Sequence, residues 1–349
     1  MAYTTIDDPS AYFQTKIYTG NGSSSHAITF DGNSDLQPDW TWIKSRSNAT
    51  DHILTDIVRG VGVGIKSNTT AGNANDSNQL KSFNSDGFTL GSENDVNGSS
   101  RTYASWNWKA GTSFTNDASA TGIGTIDSNG SVSSDAGFGI VKWSGTGSAG
   151  TIAHNMGSTP SFLIIKRLSD ANWLVQATTL GYGNYLALNT TGASASASTL
   201  VTGVSSTLVT LGDNGSVNGS GQDYIGYFFS EKQGYSKFGS YIANSNSSNF
   251  IYTGFKPAFL MVKQTDSGGN QNWGMFDNKR PGYNSQNGFL YANTNGAEDT
   301  SNATSIDLLS NGFQLRANTV GSNPGKSYIY MCFASNPLVT STGVPTTAR

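Results

Sequence analysis

The feature that most constrains the fold of this chain is a seven-residue segment that occurs three times. It reads Pro-Asp-Trp-Thr-Trp-Ile-Lys at 38–44, Pro-Ser-Phe-Leu-Ile-Ile-Lys at 160–166 and Pro-Ala-Phe-Leu-Met-Val-Lys at 257–263. In every copy an aromatic residue stands two positions after proline and lysine stands six positions after it. Self-similarity at a wide and regular interval is the signature of several similar folding units.

A second marker closes each unit, where a leucine precedes a tyrosine by thirteen residues. The three pairs are Leu90 and Tyr103, Leu211 and Tyr224, and Leu315 and Tyr328. From the proline of each unit to this tyrosine the distances are 65, 64 and 71 residues. The agreement predicts three diverged copies of one unit of roughly a hundred residues, each long enough to be a domain.

The repeated segment predicts a β-strand that is buried on both faces. The four positions before its lysine are apolar in copies two and three, and alternate positions of a strand face opposite sides. Short polar turns separate it from other apolar runs, as in β-sandwiches. We therefore predict an all-β fold of three tandem β-sandwich or jelly-roll-like repeats. The predicted boundaries are 1–110 for repeat 1, 111–136 for a Gly/Ser/Ala-rich linker, 137–235 for repeat 2, 236–336 for repeat 3, and 337–349 for a C-terminal tail.

The positions that recur between copies are predicted to be structural, because a shared core needs the same side chains in every unit. The asparagines Asn68, Asn189 and Asn293 also follow short apolar runs at similar places. The predicted core positions are Pro38, Trp40, Lys44, Phe88, Tyr103, Pro160, Phe162, Lys166, Tyr224, Pro257, Phe259, Lys263, Phe313 and Tyr328.

Charge and hydropathy exclude several classes of function. The net charge of −3 argues against binding to nucleic-acid phosphates, which requires a basic face. The longest apolar runs, such as 162–165, are too short to span a bilayer, so no membrane insertion is expected. The first residues lack the basic and apolar regions of a signal peptide, which predicts a protein that is made and assembled in a cytoplasm.

No constellation of residues predicts catalysis or a cofactor. The histidines His26, His52 and His154 do not recur between copies and lack metal-ligand spacing. Residues 145–150 match a dinucleotide fingerprint, but a strand rather than a helix is expected to follow them. The acidic loop at 93–95 lacks the alternating ligands of a calcium site. We assign no catalytic, cofactor-binding or metal-binding residue and expect a non-enzymatic protein.

Lysine, tryptophan and arginine provide the remaining polar candidates. For Lys44, Lys166 and Lys263 we favour a packed stem whose ammonium reaches water or a carboxylate over a shared ligand contact. Trp173 and Trp273 are candidates for surface recognition of a sugar or a partner, although a core position is the better interpretation for a large apolar side chain. Arg59 and Arg280, in loops with glycine and proline nearby, are candidates for interface contacts.

Several segments carry a resemblance to a known family. They are the opening at 1–6 with Tyr-Thr-Gly-Asn-Gly at 18–22, Trp-Ile-Lys-Ser-Arg at 42–46, Ser-Asp-Gly-Phe-Thr-Leu-Gly at 85–91, and Gly-Val-Pro at 343–345. Over its whole length the chain resembles a repetitive family of marine tailed bacteriophages, loosely called tail fibre or virion structural proteins. The resemblance implies a component of the particle and supplies no catalytic residues.

Three functions are compatible with these features. The first is a tail fibre, spike or receptor-binding component that meets a host glycan or protein receptor through loops rich in Ser, Asn and Gly. The alternative is a capsid decoration or head-fibre protein, for which three similar units around a pseudo-threefold axis are suited. A carbohydrate-active depolymerase ranks third. The expected location is the virion surface, the expected partners are other virion proteins, and a homo-oligomer, a trimer by analogy with virion fibres, is expected.

Overall fold

A computed structural model describes residues 2–244, 249–268, 271–281, 283–285, 288–300, 306–316 and 321–347. Regular structure in these residues is nearly all β, which confirms the all-β prediction. The α-helices are single turns, α1 (Asn94–Asn97) and α2 (Ala118–Thr121), and two 3₁₀ turns occur at Pro9–Ala11 and Thr178–Leu180. No helix in the described ranges has the length and apolar character needed to cross a bilayer.

The strands fall into three successive groups, here called units 1, 2 and 3. Unit 1 contains β1 (Phe13–Thr19), β2 (His26–Ile28), β3 (Trp40–Ser45), β4 (Ile53–Asp56), β5 (Val63–Gly64), β6 (Ala74–Asn75), β7 (Leu80–Asn84), β8 (Gly87–Leu90) and β9 (Thr102–Trp108).

Unit 2 begins with two strands that have no counterpart among the described residues of units 1 and 3, β10 (Thr112–Asn116) and β11 (Ser128–Ser133). Its remaining strands are β12 (Phe138–Ser144), β13 (Gly150–Ala153), β14 (Phe162–Arg167), β15 (Leu174–Ala177), β16 (Asn184–Ala187), β17 (Ala195–Ser196), β18 (Val201–Val204), β19 (Leu208–Leu211) and β20 (Asp223–Phe229).

Unit 3 has the same sequence of elements over its described residues. Its strands are β21 (Ser236–Ile242), β22 (Asn249–Tyr252), β23 (Phe255–Gln264), β24 (Gly274–Asp277), β25 (Leu290–Tyr291), β26 (Ile306–Leu309), β27 (Gly312–Leu315) and β28 (Ser327–Pro337).

One strand order occurs in all three units. The inner sheets share the orders β1-β9-β3-β4, β12-β20-β14-β15-β16-β17 and β21-β28-β23-β24-β25, and in unit 2 β10-β11 is added beside β12. Strands β1, β12 and β21 are therefore each the neighbour of the last strand of their unit. The outer sheets have the orders β2-β8-β7, β13-β19-β18 and β22-β27-β26. All the pairings between these strands are antiparallel. Each unit is therefore a sandwich of an inner and an outer sheet.

The proline-led strands lie in the middle of the inner sheets. Every residue of β3 is buried, and β14 is buried except at its last position. Pro38 and Pro160 precede their strands, whereas Pro257 lies inside β23, where the pairing with β28 shifts register. A residue without an N–H is tolerated at such an irregularity, which is why the third copy accommodates its proline within the strand.

The recurring tyrosines fix the turn before the last strand of each unit. The Tyr103 hydroxyl donates to the Asn94 carbonyl and accepts from the Gly98 N–H, both at 2.7 Å. The Tyr224 hydroxyl does the same with Gly215 and Gly219, also at 2.7 Å. In unit 3 the Tyr328 hydroxyl accepts from the Asn323 N–H at 3.1 Å. These bonds explain the constant spacing before the tyrosine.

Two kinds of hydrophobic core result. Each sandwich encloses its own core between inner and outer sheets. The opposite faces of the three inner sheets meet in one shared core, which contains Trp40, Phe162 and Phe259 from the proline-led strands. Burial on both faces of these strands follows from this arrangement.

Aromatic contacts in the shared core join every pair of units. Units 1 and 2 meet where the rings of Trp40 and Tyr227 stack with centroids 4.2 Å apart. Units 2 and 3 meet where Phe162 lies 5.7 Å from Phe238, and units 3 and 1 meet where Phe333 lies 5.4 Å from Phe13. The units therefore form a closed ring around the shared core.

The segment 111–136 is not the linker that its composition predicted. It forms β10, α2 and β11, and β11 pairs with β12 from Ser128 opposite Trp143 to Ser133 opposite Phe138. Its small residues allow a close approach, because a Cβ at Gly130 would overlap the Ile140 carbonyl oxygen. The segment is thus part of the unit 2 inner sheet.

The last strand, β28, reaches Pro337, and the predicted tail after it is short and largely exposed. The Ser341 N–H donates to the Asp7 carboxylate at 2.6 Å, which places this part of the tail beside the beginning of the chain. The final two positions of the predicted tail lie outside the described residues.

We predict that Trp40→Ala lowers the free energy of unfolding by ~3–5 kcal/mol, the usual cost of removing a large buried aromatic side chain. Because Trp40 contacts both unit 1 and unit 2 rings, the loss should appear in one cooperative transition. Urea titration followed by tryptophan fluorescence and circular dichroism measures it. Val61→Ala, at a side chain that is 46% exposed, is the control and should change stability by less than ~0.5 kcal/mol. Separate transitions for the units would contradict the shared core.

Candidate functional site: the seams between units

The contact between two units is called a seam here, and all three seams contain the same backbone hydrogen bond. The acceptor is the carbonyl two residues after the recurring lysine, and the donor is an N–H of the adjacent unit. The three bonds run from Asn73 to Leu168 at 3.0 Å, from Ser194 to Thr265 at 2.8 Å, and from Glu298 to Arg46 at 2.8 Å. They give seam 1–2, seam 2–3 and seam 3–1 a common register.

A ring nitrogen makes a second recurring bond across each seam. Trp173 Nε1 donates to the Lys66 carbonyl at 2.9 Å, and Trp273 Nε1 donates to the Ala187 carbonyl at 3.0 Å. In seam 3–1 the equivalent position is His52, whose Nε2 lies 3.0 Å from the Tyr291 carbonyl oxygen. Both tryptophans are buried, in agreement with the favoured core interpretation, so they are not available to recognise an external ligand.

The recurring asparagines hold these rings in place. In each unit an asparagine Oδ1 accepts the backbone N–H of the ring residue, and its Nδ2 reaches the preceding side chain. The N–H to Oδ1 bonds join His52 to Asn68 at 3.1 Å, Trp173 to Asn189 at 2.9 Å, and Trp273 to Asn293 at 2.9 Å. Their recurrence in the sequence therefore reflects the seam geometry.

His52 is held in one neutral form. Its Nδ1 accepts from Trp42 Nε1 at 2.8 Å, so the proton belongs on Nε2, which can donate to the Tyr291 carbonyl. Burial, with the nearby Lys44 ammonium, lowers the pKa of His52 to about 3, although carbonyl groups and Asp51 oppose the shift. Protonating Nδ1 would remove the acceptor that Trp42 needs.

The recurring lysines are buried completely, so the expectation that their ammonium groups reach water or a carboxylate is wrong. They bind backbone carbonyls instead. Lys166 Nζ donates to Ser169 and Ala171 and, across seam 1–2, to Thr70, at 3.0–3.1 Å. Lys263 Nζ likewise crosses seam 2–3 to Thr191 at 3.2 Å. Burial lowers the pKa of all three lysines to about 8.

Lys44 shows the same behaviour within unit 1. Its Nζ donates to the carbonyls of Ser45 at 2.7 Å and Asn48 at 3.3 Å. An ammonium group has three donors and no acceptor, so a cluster of carbonyls satisfies it where no carboxylate is close enough to pair. The three lysines are buried inside the fold, and the sequence did not predict that backbone carbonyls bind them.

The arginine candidates are also internal. Arg280 Nε binds the Asp277 carboxylate at 2.6 Å, and the same carboxylate accepts Trp106 Nε1 across seam 3–1 at 3.1 Å. Arg59 Nε binds Asp56 at 2.6 Å, and Asp56 accepts the Tyr227 hydroxyl across seam 1–2 at 2.8 Å. Both guanidinium groups are buried, so they are not available for an external interface.

Charge pairing outweighs burial at these arginines. Burial acts to raise the pKa of the Asp277 carboxyl, but the charge and hydrogen bonds of Arg280 hold it below its usual value. Burial acts to lower the pKa of Arg280, and Asp277 with Glu298 raise it. Glu298 also binds Arg46 of unit 1 at 2.8 Å, so seam 3–1 contains a network of ion pairs.

Seam 2–3 has apolar side chains where the other two seams have an arginine–carboxylate pair. The register places Ala177 of unit 2 where units 1 and 3 have Asp56 and Asp277. Ala177 and Met331 belong to the shared core, and Leu180 packs against it. At this position seam 1–2 has an ion pair that accepts a tyrosine hydroxyl, and seam 3–1 has an ion pair that accepts an indole N–H. Seam 2–3 has an apolar contact there.

The seams share one direction. Unit 2 donates its ring nitrogen to unit 1, unit 3 donates to unit 2, and unit 1 reaches unit 3. Head-to-tail contacts of this kind form a closed ring when the rotations between successive units add up to a full turn. The three units close in this way. The arrangement fixes the three sandwiches relative to one another through the ring nitrogens, lysines and carboxylates named above, whereas Trp40 Nε1, Trp108 Nε1 and the Tyr235 hydroxyl of the shared core have no hydrogen-bond partner among the described residues.

The surface clefts are the alternative place for a functional site. One cleft, of about 540 Å³, lies beside β10 and β11 and is lined by Asp117, Asp127, Asp223 and Lys142 together with Trp143, Ile126 and smaller polar side chains. Asp117 caps α2, and Asp127 accepts the Ala118 N–H at 2.9 Å. Within the described ranges no three His, Cys, Asp or Glu side chains are placed to hold a metal ion. In the loop at 93–95, Glu93 caps α1.

Asp56, Asp277 and Tyr227 were not identified from the sequence. The spacing Asp-x-x-Arg occurs at 56–59 and 277–280, and it was a usable signal, but copy two has Ala177 and Leu180 there. The partners of these carboxylates in the neighbouring unit, Trp106 and Tyr227, each lie 171 residues away in the chain. A pairing at that distance is not visible without the arrangement of the units.

We predict that His52 makes folding sensitive to acid. Its folded pKa of about 3 is below the unfolded value of ~6.5, so the unfolded chain binds more protons as the pH falls between these values. Stability from this group is complete above pH ~6.5 and is lost towards pH 3, with a slope of up to ~1.4 kcal/mol per pH unit.

His52→Gln tests this, because the amide retains one acceptor and one donor but does not titrate. Urea unfolding measured at several pH values between 7 and 4 should show a shallower pH dependence for the variant. Equal slopes for the variant and the wild type would contradict the assignment.

We predict that Arg280→Leu destabilises the fold by ~3–5 kcal/mol, because it leaves the buried Asp277 carboxylate without its cation. The double variant Asp277→Ala/Arg280→Leu reproduces the apolar residues of seam 2–3 and should lose less stability than the single variant. Chemical denaturation of both variants gives the comparison. A double variant that is less stable than Arg280→Leu would contradict the paired-charge explanation.

Comparison with known proteins gives one family match. The family model described as "Domain of unknown function (DUF7483)" matches residues 8–337, which include all three units. No curated protein and no solved structure matches the chain.

Proposed function

We propose that this chain, which belongs to the DUF7483 family, is a non-enzymatic structural protein exposed on the surface of a bacteriophage particle. The proposal rests on the observation that the recurring polar side chains bind groups of the protein itself. The lysines, the asparagines and the ring nitrogens all bind within or between units, which supports a rigid building block. The resemblance of several segments to virion proteins of tailed phages supports the particle as its location.

The first role that we propose is a tail fibre, spike or receptor-binding component. The turns after the first strands of units 1 and 2 support it. Residues 21–25 and 146–149 are exposed and consist of Asn, Gly, Ser and Thr with one alanine, Ala149, and each turn contains a glycine at a positive φ, Gly22 and Gly147. Short polar side chains on a rigid scaffold are adaptable contacts for a host glycan or a protein receptor.

The second role, a capsid decoration or head-fibre protein, is supported by the closed ring. Three similar sandwiches around one axis fit positions where three capsid subunits meet. In either role the partners are other virion proteins, and the chain is assembled in the host cytoplasm. The net charge of −3 supports an interaction with proteins rather than with nucleic acid.

We expect the protein to be present in purified particles of the phage whose genome encodes it. Quantitative gel analysis against the major capsid protein separates the two roles, because hundreds of copies indicate the head and about a dozen indicate the tail. Immunogold labelling of intact particles tests surface exposure. Absence from particles that are otherwise complete would contradict the proposal.

A depolymerase is the competing enzymatic hypothesis. The carboxylates of the cleft beside β10 and β11 are the groups to test, since glycoside hydrolysis uses a pair of acidic residues. We expect no release of reducing ends when the purified protein is incubated with host surface polysaccharide. Release that is abolished by Asp223→Asn would favour the enzyme.

A further inference from the structure

The path of the chain sets one seam apart from the other two. Residues 109–111 lead from the last strand of unit 1 into unit 2, and residues 230–235 lead from unit 2 into unit 3. A short connection of this kind holds two units at a high effective concentration and favours their contact. Among the described residues no such connection joins unit 3 to unit 1, so non-covalent contacts alone close seam 3–1. The ring can therefore open at this seam without stretching the chain.

Additional polar contacts cross seam 3–1 in place of a connection. The Ser67 hydroxyl donates to the Ala292 carbonyl at 2.6 Å, and the Tyr3 hydroxyl donates to the Gly254 carbonyl at 2.6 Å. They add to the ion pair of Arg46 with Glu298. Closure of the ring thus depends on side chains, and their chemical state decides whether the seam holds.

The ring nitrogen of seam 3–1 titrates, whereas those of the other seams do not. Trp173 and Trp273 cross their seams with an indole N–H, which keeps its proton in water at any ordinary pH. His52 crosses seam 3–1 with an imidazole, whose charge changes between about pH 5 and 8 when it is in water. The sensitive group is therefore located at the seam that has no covalent connection.

A second substitution accompanies the imidazole. Unit 1 has Trp42 and His52 where unit 2 has Ile164 and Trp173, so the larger ring lies in the strand and the smaller ring lies at the seam. The two side chains of unit 1 are joined, since Trp42 Nε1 donates to His52 Nδ1 at 2.8 Å. This bond requires a neutral imidazole.

The surroundings of His52 in the closed seam oppose a charge on the ring. The side chain is fully buried, and the Lys44 ammonium group is close enough to lower its pKa. The backbone carbonyls of Tyr291 and Thr294 face it from unit 3, and the neighbouring carboxylate, Asp51, binds Lys66 at 2.7 Å. Burial outweighs these carbonyls and Asp51, so the pKa of His52 is about 3 while the seam is closed.

We propose that seam 3–1 is an acid-sensitive closure, which opens when His52 binds a proton while seams 1–2 and 2–3 remain closed. Opening exposes the imidazole to water, where its pKa rises towards ~6.5. The open state then binds the proton below that pH and the closed state does not, so acid favours opening. Between pH 7 and pH 4.5 this one group raises the ratio of open to closed molecules by up to about 70-fold.

The open state exposes the second, apolar face of the inner sheets of units 1 and 3, which the shared core covers in the closed ring. Such an opening is a local event that precedes global unfolding, as in other proteins with parts of unequal stability. The inference does not depend on the particle role, because it rests on the differences between the three seams.

Hydrogen exchange of the full chain at pH 7 and pH 4.5, resolved to single amides and expressed as protection factors, tests the proposal. The equivalent N–H groups of Asn73, Ser194 and Glu298 report seams 1–2, 2–3 and 3–1. We expect the protection of Glu298 to fall by up to about 70-fold more than that of the other two. Protection that falls equally at all three amides, or at none, overturns the proposal.

His52→Gln should abolish the additional loss at Glu298, because the amide keeps a donor and an acceptor but does not titrate. His154→Gln is the matched control. His154 is also buried with a lowered pKa, but its Nε2 lies 3.2 Å from the Ser205 carbonyl oxygen inside unit 2, so the additional loss should persist.

The double variant Trp42→Ile/His52→Trp copies Ile164 and Trp173 of unit 2 and supplies the same test if His52→Gln does not fold. Circular dichroism with thermal melting verifies that each variant is folded. An additional loss at Glu298 that persists in a folded variant without His52, or that disappears in His154→Gln, overturns the proposal.

Discussion

The structure depends on covering a sheet that is apolar on both faces. Each inner sheet has one face against its own outer sheet and a second face that would otherwise be in water. Burying large aromatic side chains such as Trp40, Phe162 and Phe259 removes this second face from solvent, with a gain of about 25 cal/mol per Å² of apolar area. A single unit has no such cover, so the three units complete each other's folds.

Polar groups give the apolar contact a direction. Stacked aromatic rings tolerate several arrangements, whereas the backbone bond from Asn73 to Leu168 and its two equivalents fix one register. The buried carboxylates Asp56 and Asp277 add selectivity, because each has one cation and one donor from a particular neighbour. Seam 2–3 closes without such a pair, which indicates that the charges determine which surfaces meet more than how strongly they bind.

Much of the single unit could be predicted from the sequence, and little of the ring could. The proline-led strand and the turn before Tyr224 are local features, so recurrence at fixed spacing revealed both. Burial of Trp173 or Lys166 depends on a neighbouring unit, and a buried tryptophan and an exposed one look alike in a sequence. Small residues at 111–136 suggested a linker because composition does not distinguish flexible chain from a strand that needs close approach at Gly130.

The hairpin of β10 and β11 gives the ring a unique orientation. Because it extends the sheet of unit 2 alone, rotation by one third of a turn does not superimpose the molecule on itself. A partner with true threefold symmetry would therefore meet three unequal sectors, and one docking angle would be preferred over the other two. Joining the sectors in one polypeptide keeps their ratio fixed, so every copy of the protein has the same marked side of the ring.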